Sequence, residues 1–325
     1  TMVLDTVYYN GVAYTMNSPE AKFAETNWKW IRGFTIKSGA NFNLDEYNNV
    51  FINLGYISKA PRFNNVYYYD NSLFRDIKNE IVQALEGGYS YRSSKFSANL
   101  NGYYTLWQNK PSNGGVTVLV DDVSYRANIN GMDALHKGIE MDFSYKILSN
   151  LGFEGLVSLG DWKWMSSDTV RFLDDNNNPI TDDFGNEIIA SFDADGVHVG
   201  DAAQTQFGFS VRYEPSYNSY IKLRSTYFAN YYADFDPLSL NGANAGRESW
   251  EIPSYNLIDL HAGYKFKISQ KTKMDIKLSI LNLFDEMYIS DAQNNDPYNA
   301  SYQDFDAKSA GVFFGLGRRI NLSAK

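Results

Sequence analysis

The stretch FSANLNGYYTL, from Phe96 to Leu106, separates into two lists when alternate residues are taken. The even positions are Phe96, Ala98, Leu100, Gly102, Tyr104 and Leu106, and the odd ones are Ser97, Asn99, Asn101, Tyr103 and Thr105. Successive side chains on a strand point to opposite faces, so this is a strand with one apolar and one polar side. A helical period of 3.6 residues would mix the two lists. The same division returns with Ile139, Met141, Phe143, Tyr145 and Ile147 against Glu140, Asp142, Ser144 and Lys146. It returns again around Phe207–Tyr213, Ile221–Ala229, Ile258–Phe266 and Met274–Ile280.

This periodicity predicts about eleven strands, over 29–44, 48–58, 80–91, 95–108, 132–147, 151–165, 202–214, 219–234, 254–268, 272–286 and 309–325. Most exceed the usual globular strand and reach the nine to eleven tilted residues that cross a bilayer. Connections alternate in length. Tight turns fall at DEYN (45–48), RSS (92–94), LSN (148–150), PSYN (215–218) and SQKT (269–272), and the loops between them run to roughly twenty residues or more. The expected fold is all-β: an antiparallel transmembrane β-barrel with short periplasmic turns and long extracellular loops. A soluble sandwich or jelly roll also alternates, but nothing in those architectures lengthens every second connection.

Composition fits a barrel and excludes several other classes. No window approaches the eighteen apolar residues of a membrane helix, whereas a barrel strand shows lipid only every second residue and keeps mean hydropathy low. The chain has no Cys, which removes disulfide scaffolds, thiolate metal sites and a Cys nucleophile. A net charge of −9 without clustered Lys and Arg argues against nucleic acid as a partner. The three His, at 136, 198 and 261, form no His-Glu-x-x-His pattern, and no Gly-x-Ser-x-Gly elbow occurs. Gly315 and Gly317 lie inside a strand pattern with no helix after them, unlike a phosphate loop. The expectation is no enzyme activity.

Three segments, taken together and in order, resemble the TonB-dependent outer-membrane receptors. SILNLFDEMY (279–288) looks like that family's strand-ending Asn-Leu-Phe-Asp motif. GYISKAPRFNNVYYYDN (55–71) is similar to its strand-to-loop segment with a Ser and a basic residue before Ala-Pro, and GVFFGLGRRINLSAK (311–325) to its closing strand. The resemblance implies the C-terminal half of a barrel of about 22 strands. Residues 1–325 would be barrel, and the plug domain and coupling segment would lie outside this sequence. The resemblance further implies an integral outer-membrane receptor that imports a scarce ligand with energy from a TonB-type inner-membrane partner. A surface lipoprotein is a further possible partner, and membrane lipid surrounds the wall. The ligand class stays open among siderophore, cobalamin, oligosaccharide and peptide. A passive porin and a soluble β-rich binding module are the alternatives.

Site candidates follow from chemistry and position. Asn282, Leu283, Phe284 and Asp285 are read as structural: Asn and Asp bond nearby backbone as the strand leaves the ladder, and Phe284 anchors at the rim. Arg62, Tyr67, Tyr68 and Tyr69 read equally as ligand contacts or interface aromatics. Trp107, Trp162, Trp164, Tyr231, Tyr232 and Phe235 suit stacking on sugar or macrocycle faces, with the outer aromatic girdle as the plainer reading. Lys222, Arg224, Asp259 and His261 fall on the lumen side. The loop 166–201 concentrates acid, with nine Asp or Glu against Arg171 alone. Within it Asp174, Asn176 and Asn178 offer oxygens at alternate positions as a Ca²⁺ loop does, but Pro179 stands where Gly is usual and Gly185 where a Glu would close the site. No other cofactor is expected.

Overall fold

The computed structural model describes residues 6–9, 11–15, 18, 28–67, 73, 77–110, 116–120, 123–127, 131–172, 178–269, 272–294 and 305–325. A short hairpin, β1 (Thr6–Tyr9) and β2 (Val12–Thr15), comes first. The wall then begins with β3 (Phe34–Asn43), β4 (Asn48–Lys59), β5 (Glu80–Arg92) and β6 (Phe96–Lys110). A separate hairpin of β7 (Val116–Val120) and β8 (Val123–Ala127) precedes the wall strands β9 (Met132–Leu148) and β10 (Leu151–Trp164). The hairpin β11 (Ser167–Arg171) and β12 (Ile189–Asp193) is followed by β13 (Ala203–Ser216) and β14 (Ser219–Tyr232). The two-residue β15 (Glu251–Ile252) pairs with the end of β14. Then come β16 (Tyr255–Lys267), β17 (Lys273–Leu281), the hairpin β18 (Ile289–Asn294) and β19 (Ala310–Phe314), and β20 (Arg319–Ala324).

Eleven of these strands form one antiparallel path, β3-β4-β5-β6-β9-β10-β13-β14-β16-β17-β20, each bonded to the next along the path and all in chain order. That is an up-and-down barrel wall, and it matches the eleven expected strands in number and order. Among the described residues no helix is long and apolar enough to cross a membrane. A barrel wall crosses a bilayer with its strands, whose backbone groups bond to one another rather than to absent water.

Register carries the two faces across the whole wall. One row opposes Phe96 to Tyr145, Tyr145 to Phe153, Phe153 to Val211, Val211 to Leu223, Leu223 to Leu260, Leu260 to Ile280 and Ile280 to Ile320. The adjacent row on the other face opposes Ser97 to Ser144, Ser144 to Glu154, Glu154 to Ser210, Ser210 to Arg224 and Arg224 to Asp259. Large apolar side chains of the first face stay exposed, including Ile36, Leu54, Leu85, Leu100, Ile139, Leu223 and Leu322, as a lipid-facing surface requires. Near the tight turns that face ends in Phe42, Tyr89, Tyr145, Tyr213 and Tyr264, an aromatic belt at the periplasmic interface. The turns close on their own side chains: Asp45 accepts from the backbone N–H groups of Tyr47 and Asn48, each at 2.8 Å.

Three expected strands differ. The span 29–44 is strand only from Phe34, and the preceding Trp28 and Trp30 are exposed. The span 272–286 stops at Leu281, because Asn282 adopts φ +52° and turns the chain out of the ladder. The span 309–325 is two strands, since residues 315–318 form no ladder. Its first half, β19, pairs with β18 above the wall, and only β20 joins β17. Apolar residues at even positions, Val312, Phe314, Leu316, Ile320 and Leu322, keep their alternation across this break and hide it in the sequence.

The buried core lies at one end of the wall and above it, where the ends of β10 and β14 and the loops beyond β10, β14 and β17 pack Trp164, Phe172, Phe192, Val197, Tyr231, Phe235, Leu240, Ile252 and Ala292 together. Backbone bonds tie the layer: the N–H of Asp193 donates to the Leu240 carbonyl, that of Ala233 to Trp250 and that of Asp234 to Ala292, at 2.8, 2.8 and 2.9 Å.

Glycines admit close approach at two informative places. A Cβ at Gly138 would sit 2.5 Å from both the Leu159 carbonyl oxygen and the Tyr103 hydroxyl. At Gly155 it would meet the Phe143 ring, which faces lipid and can swing away. In the full-length protein Gly138→Val should cost about 1–3 kcal/mol, lowering the temperature at which the folded, heat-modifiable band disappears on electrophoresis, whereas Gly155→Ala should leave it close to the parent value. Equal effects would show that the backbone contact at Gly138 is not the constraint.

Candidate functional site

Two regions hold the candidate residues: the polar face of the wall, and the loop layer above it. Side chains on the polar face bond to one another, some as ion pairs and some through neutral partners. Glu154 accepts from Lys222 at 2.5 Å and from Ser210 at 2.9 Å, Arg224 donates to Asp259 at 2.5 Å, and His261 Nδ1 lies 2.9 Å from Ser279 Oγ. Asn99 donates to Asp142 at 2.9 Å, and Asn53 to Glu86 at 3.2 Å. Lys222, Arg224, Asp259 and His261 therefore stand on the lumen side where alternation put them. Asp142 and Tyr103 likewise stand on the polar side where alternation put them; Glu154 belongs to the same face, and extending the parity of its strand would have found it.

At the extracellular end of this face the aromatics gather. Trp107 on β6, His136 on β9 and Trp162 on β10 form a row with ring centroids 6.0 and 5.4 Å apart. The Trp162 indole N–H donates to the Tyr103 hydroxyl at 2.8 Å. Its backbone N–H donates to the buried Gln204 side chain, also at 2.8 Å. Trp107 and Trp162 are half-buried, and the Lys110 ammonium sits 4.8 Å from the Trp107 ring and 5.1 Å from that of Trp164.

The other aromatic candidates are placed differently. Trp164, Tyr231 and Phe235 are all 8% exposed in the loop core, with Trp164 edge-on to Phe235, so they do not form an outer girdle. Aromatics of this core are indistinguishable from girdle residues in the sequence, because both sit at or just past a strand end. The Tyr231 hydroxyl donates to the Ser290 carbonyl at 2.8 Å and fastens the β18–β19 hairpin. Tyr232 lies flat against His198, with centroids 4.1 Å apart, and His198 Nδ1 is 2.7 Å from Glu248. Arg62 is exposed at the start of a 3-10 turn beyond β4, and Tyr67 packs on Phe63 at 4.9 Å. Those two stand apart from the tryptophan row, on the far side of β5. Tyr68 and Tyr69 lie outside the described residues.

Asp174 and Asn176 also lie outside the described residues, and Asn178 is exposed. Among the described residues no three His, Asp or Glu side chains group as a metal site. Asp182, in the same loop, turns its carboxylate onto Asn186, whose side chain and backbone amides donate to it. With the Phe184 amide they hold its carboxyl below the usual range.

The Asn282 turn is built from its own side chain. Asn282 donates to the Glu286 carbonyl at 2.8 Å and accepts from the Glu286 N–H at 2.8 Å, its backbone N–H donates to Asp259 at 2.9 Å, and Asp285 accepts from the Arg318 N–H at 2.7 Å. Asn282 is 4% exposed and Phe284 is 71% exposed at the rim. The motif ends β17, closes the loop on its far side and orients a lumen carboxylate.

The family model described as "TonB dependent receptor-like, beta-barrel" matches residues 5–283. No curated protein matches the sequence. Solved structures with a similar fold include the FrpB iron transporter from Neisseria meningitidis, at 18% identity and TM-score 0.56 over 89% of this chain and 38% of that one. The copper transporter OprC aligns at 15% identity and TM-score 0.58 over 89% and 38%. The ferric yersiniabactin uptake receptor FyuA from Yersinia pestis aligns at 15% and 0.54 over 89% and 36%. The chain thus spans about two fifths of the length of the structures it matches.

Two tests follow from the loop layer. Asn282→Ala removes three side-chain bonds at a buried left-handed residue and should speed amide hydrogen exchange at Glu286 several-fold, leaving β9 and β10 unchanged; a silent substitution would make the motif dispensable for the turn. Asp234 and Asp291 both have carboxyl pKa values raised, by burial first and then by the charge of Asp201. Raised acid pKa values mean that the packed layer holds protons more tightly than the opened one, so packing is favoured at low pH and loosens as pH rises from the ordinary carboxylate range through the raised values. Exchange at the Asp234 amide, corrected for its intrinsic rate, should rise over that window and become flatter in Asp234→Asn.

Proposed function

The chain belongs to the TonB-dependent receptor-like β-barrel family, a family of integral outer-membrane proteins, and from that premise we propose that it is the C-terminal wall of an active-uptake receptor. The observation that carries this reading is the eleven-strand path with a mainly apolar outer face and a polar inner face that holds ion pairs. Extracellular loops beyond β4, β6, β10, β14 and β17 capture a scarce ligand. The remaining wall, a plug and a segment that engages a TonB-type energy-transducing partner come from sequence outside this chain.

Ion pairs fixed in place on the inner face, Lys222 with Glu154 and Arg224 with Asp259, suit a lumen that a plug fills, since these charges keep their partners when water is displaced. Arg62, Tyr67 and the tryptophan row are the ligand contacts of this reading, and the Asn282 turn is structural.

The test separates active receptor from passive porin. Full-length protein in planar lipid bilayers should show no steady ion conductance, and removal of its N-terminal plug region should open one. A stable open pore in the full-length protein would overturn the uptake reading in favour of a porin.

A further inference from the structure

The apolar outer face of the wall is not evenly filled. We propose that a notch in it, over Gly87 and Gly102, seats an acyl chain of a phospholipid from the periplasmic leaflet, at a site separate from the lumen and independent of the uptake reading.

Two glycines make the notch. Gly87 on β5 and Gly102 on β6 are opposed in register, with Ile52 opposite Gly87 on β4 and Ile139 opposite Gly102 on β9. The row towards the extracellular side opposes Leu85 to Tyr104, and the row towards the turn opposes Tyr89 to Leu100. These six side chains are 40–55% exposed and stand around the glycine pair. Between them is a cavity of about 440 Å³, lined by Ile52, Leu85, Tyr104 and both glycines.

Internal packing requires neither glycine. A Cβ at Gly87 would lie 3.6 Å from the Phe51 carbonyl oxygen, and one at Gly102 would lie 4.0 Å from that of Gly138, both ordinary contacts. No side chain covers either position. By contrast Gly155, on the same face of β10, lies under the Phe143 ring, and on the lumen face Gly88 and Gly138 lie under Phe51 and Tyr103. Glycine inside a strand weakens it and marks a place where another group comes close. Strands β4, β5, β6 and β9 are all interior to the path, so no further wall strand reaches this spot. The face looks into the bilayer, and the group that comes close is a lipid chain.

Position selects the leaflet. Tyr89 of the periplasmic belt is two residues from Gly87, whereas the first polar pair outward on that face, Gln83 with Gln108, is four residues from Gly87 and six from Gly102. The turn joining β5 to β6 carries Arg92 and Lys95, both exposed and neither in an ion pair among the described residues. Arg92 is five residues from Gly87 and Lys95 seven from Gly102. On strands tilted by about 40° that is about 13–18 Å of height, within the roughly 20 Å between a bilayer's surface and its midplane. A phosphate at the level of the turn matches the charge of the two cations and brings the chain above it across the notch.

Native mass spectrometry of the full-length protein tests this, with protein purified from outer membranes in mild detergent and then titrated with palmitoyl-oleoyl phosphatidylglycerol. One phospholipid should stay bound per barrel through purification. Gly102→Leu and, independently, Gly87→Leu should lower the affinity for added lipid about tenfold or more. Ala262→Leu, which adds the same bulk to the apolar face of β16, should leave it unchanged, and the heat-modifiable band on electrophoresis checks that each variant is folded. Arg92→Gln with Lys95→Gln should weaken binding about fivefold per cation removed. Retention of lipopolysaccharide in place of phospholipid, no retained lipid, or binding indifferent to both leucine substitutions would each overturn the proposal. Indifference to the charge variant would overturn the placement of the headgroup at the turn.

Discussion

Everything in this protein depends on where its backbone hydrogen bonds go. Inside a bilayer an unpaired N–H or C=O has no water to turn to, so each wall strand must bond to its neighbours along its length. The meander from β3 to β20 meets that demand with tight turns on one side and long loops on the other. Pairing of this kind forces the side chains to alternate between lipid and lumen. The apolar rows that would form the core of a soluble protein are instead left exposed to lipid.

That arrangement moves the protein's own packed core to one end of the wall and above it. The buried cluster sits among the loops beyond β10, β14 and β17, where water returns and apolar side chains again gain by mutual burial. Those loops are stiffened by short ladders of their own, β11 with β12 and β18 with β19, and by backbone bonds between segments distant in sequence. Asp201, Asp234 and Asp291 lie near one another in this layer, so its packing responds to protonation as well as to apolar contact.

On the lumen face the constraint is electrostatic. Charges there are paired between strands, Lys222 with Glu154 across the intervening β13 and Arg224 with Asp259 on adjacent β14 and β16, which fixes their positions and limits their appetite for outside ions. The Asn282 turn joins this network through Asp259, so the motif that ends β17 also helps to set the inner wall. Above the ion pairs the aromatic row begins, and glycines at 138 and 160 let its rings lie close to the strands.

The sequence by itself determined the wall: strand number, order, face and turn positions all follow from a period of two and from turn residues, which are local properties. The spans 48–58, 80–91, 132–147, 151–165 and 219–234 each lie within two residues of the observed strands. It also marked Asn282 and Asp285 as turn formers, because their side chains bond backbone a few residues away. Only the tertiary structure decided which aromatics at or just past a strand end are buried in the loop core, as Trp164, Tyr231 and Phe235 are, and which pack at its edge on the lumen face, as Trp107 and Trp162 do. It likewise decided that Gly315–Arg318 interrupts what alternation made a single strand. These outcomes turn on contacts between loops far apart along the chain, and a local pattern holds no record of which distant surface will cover a given ring.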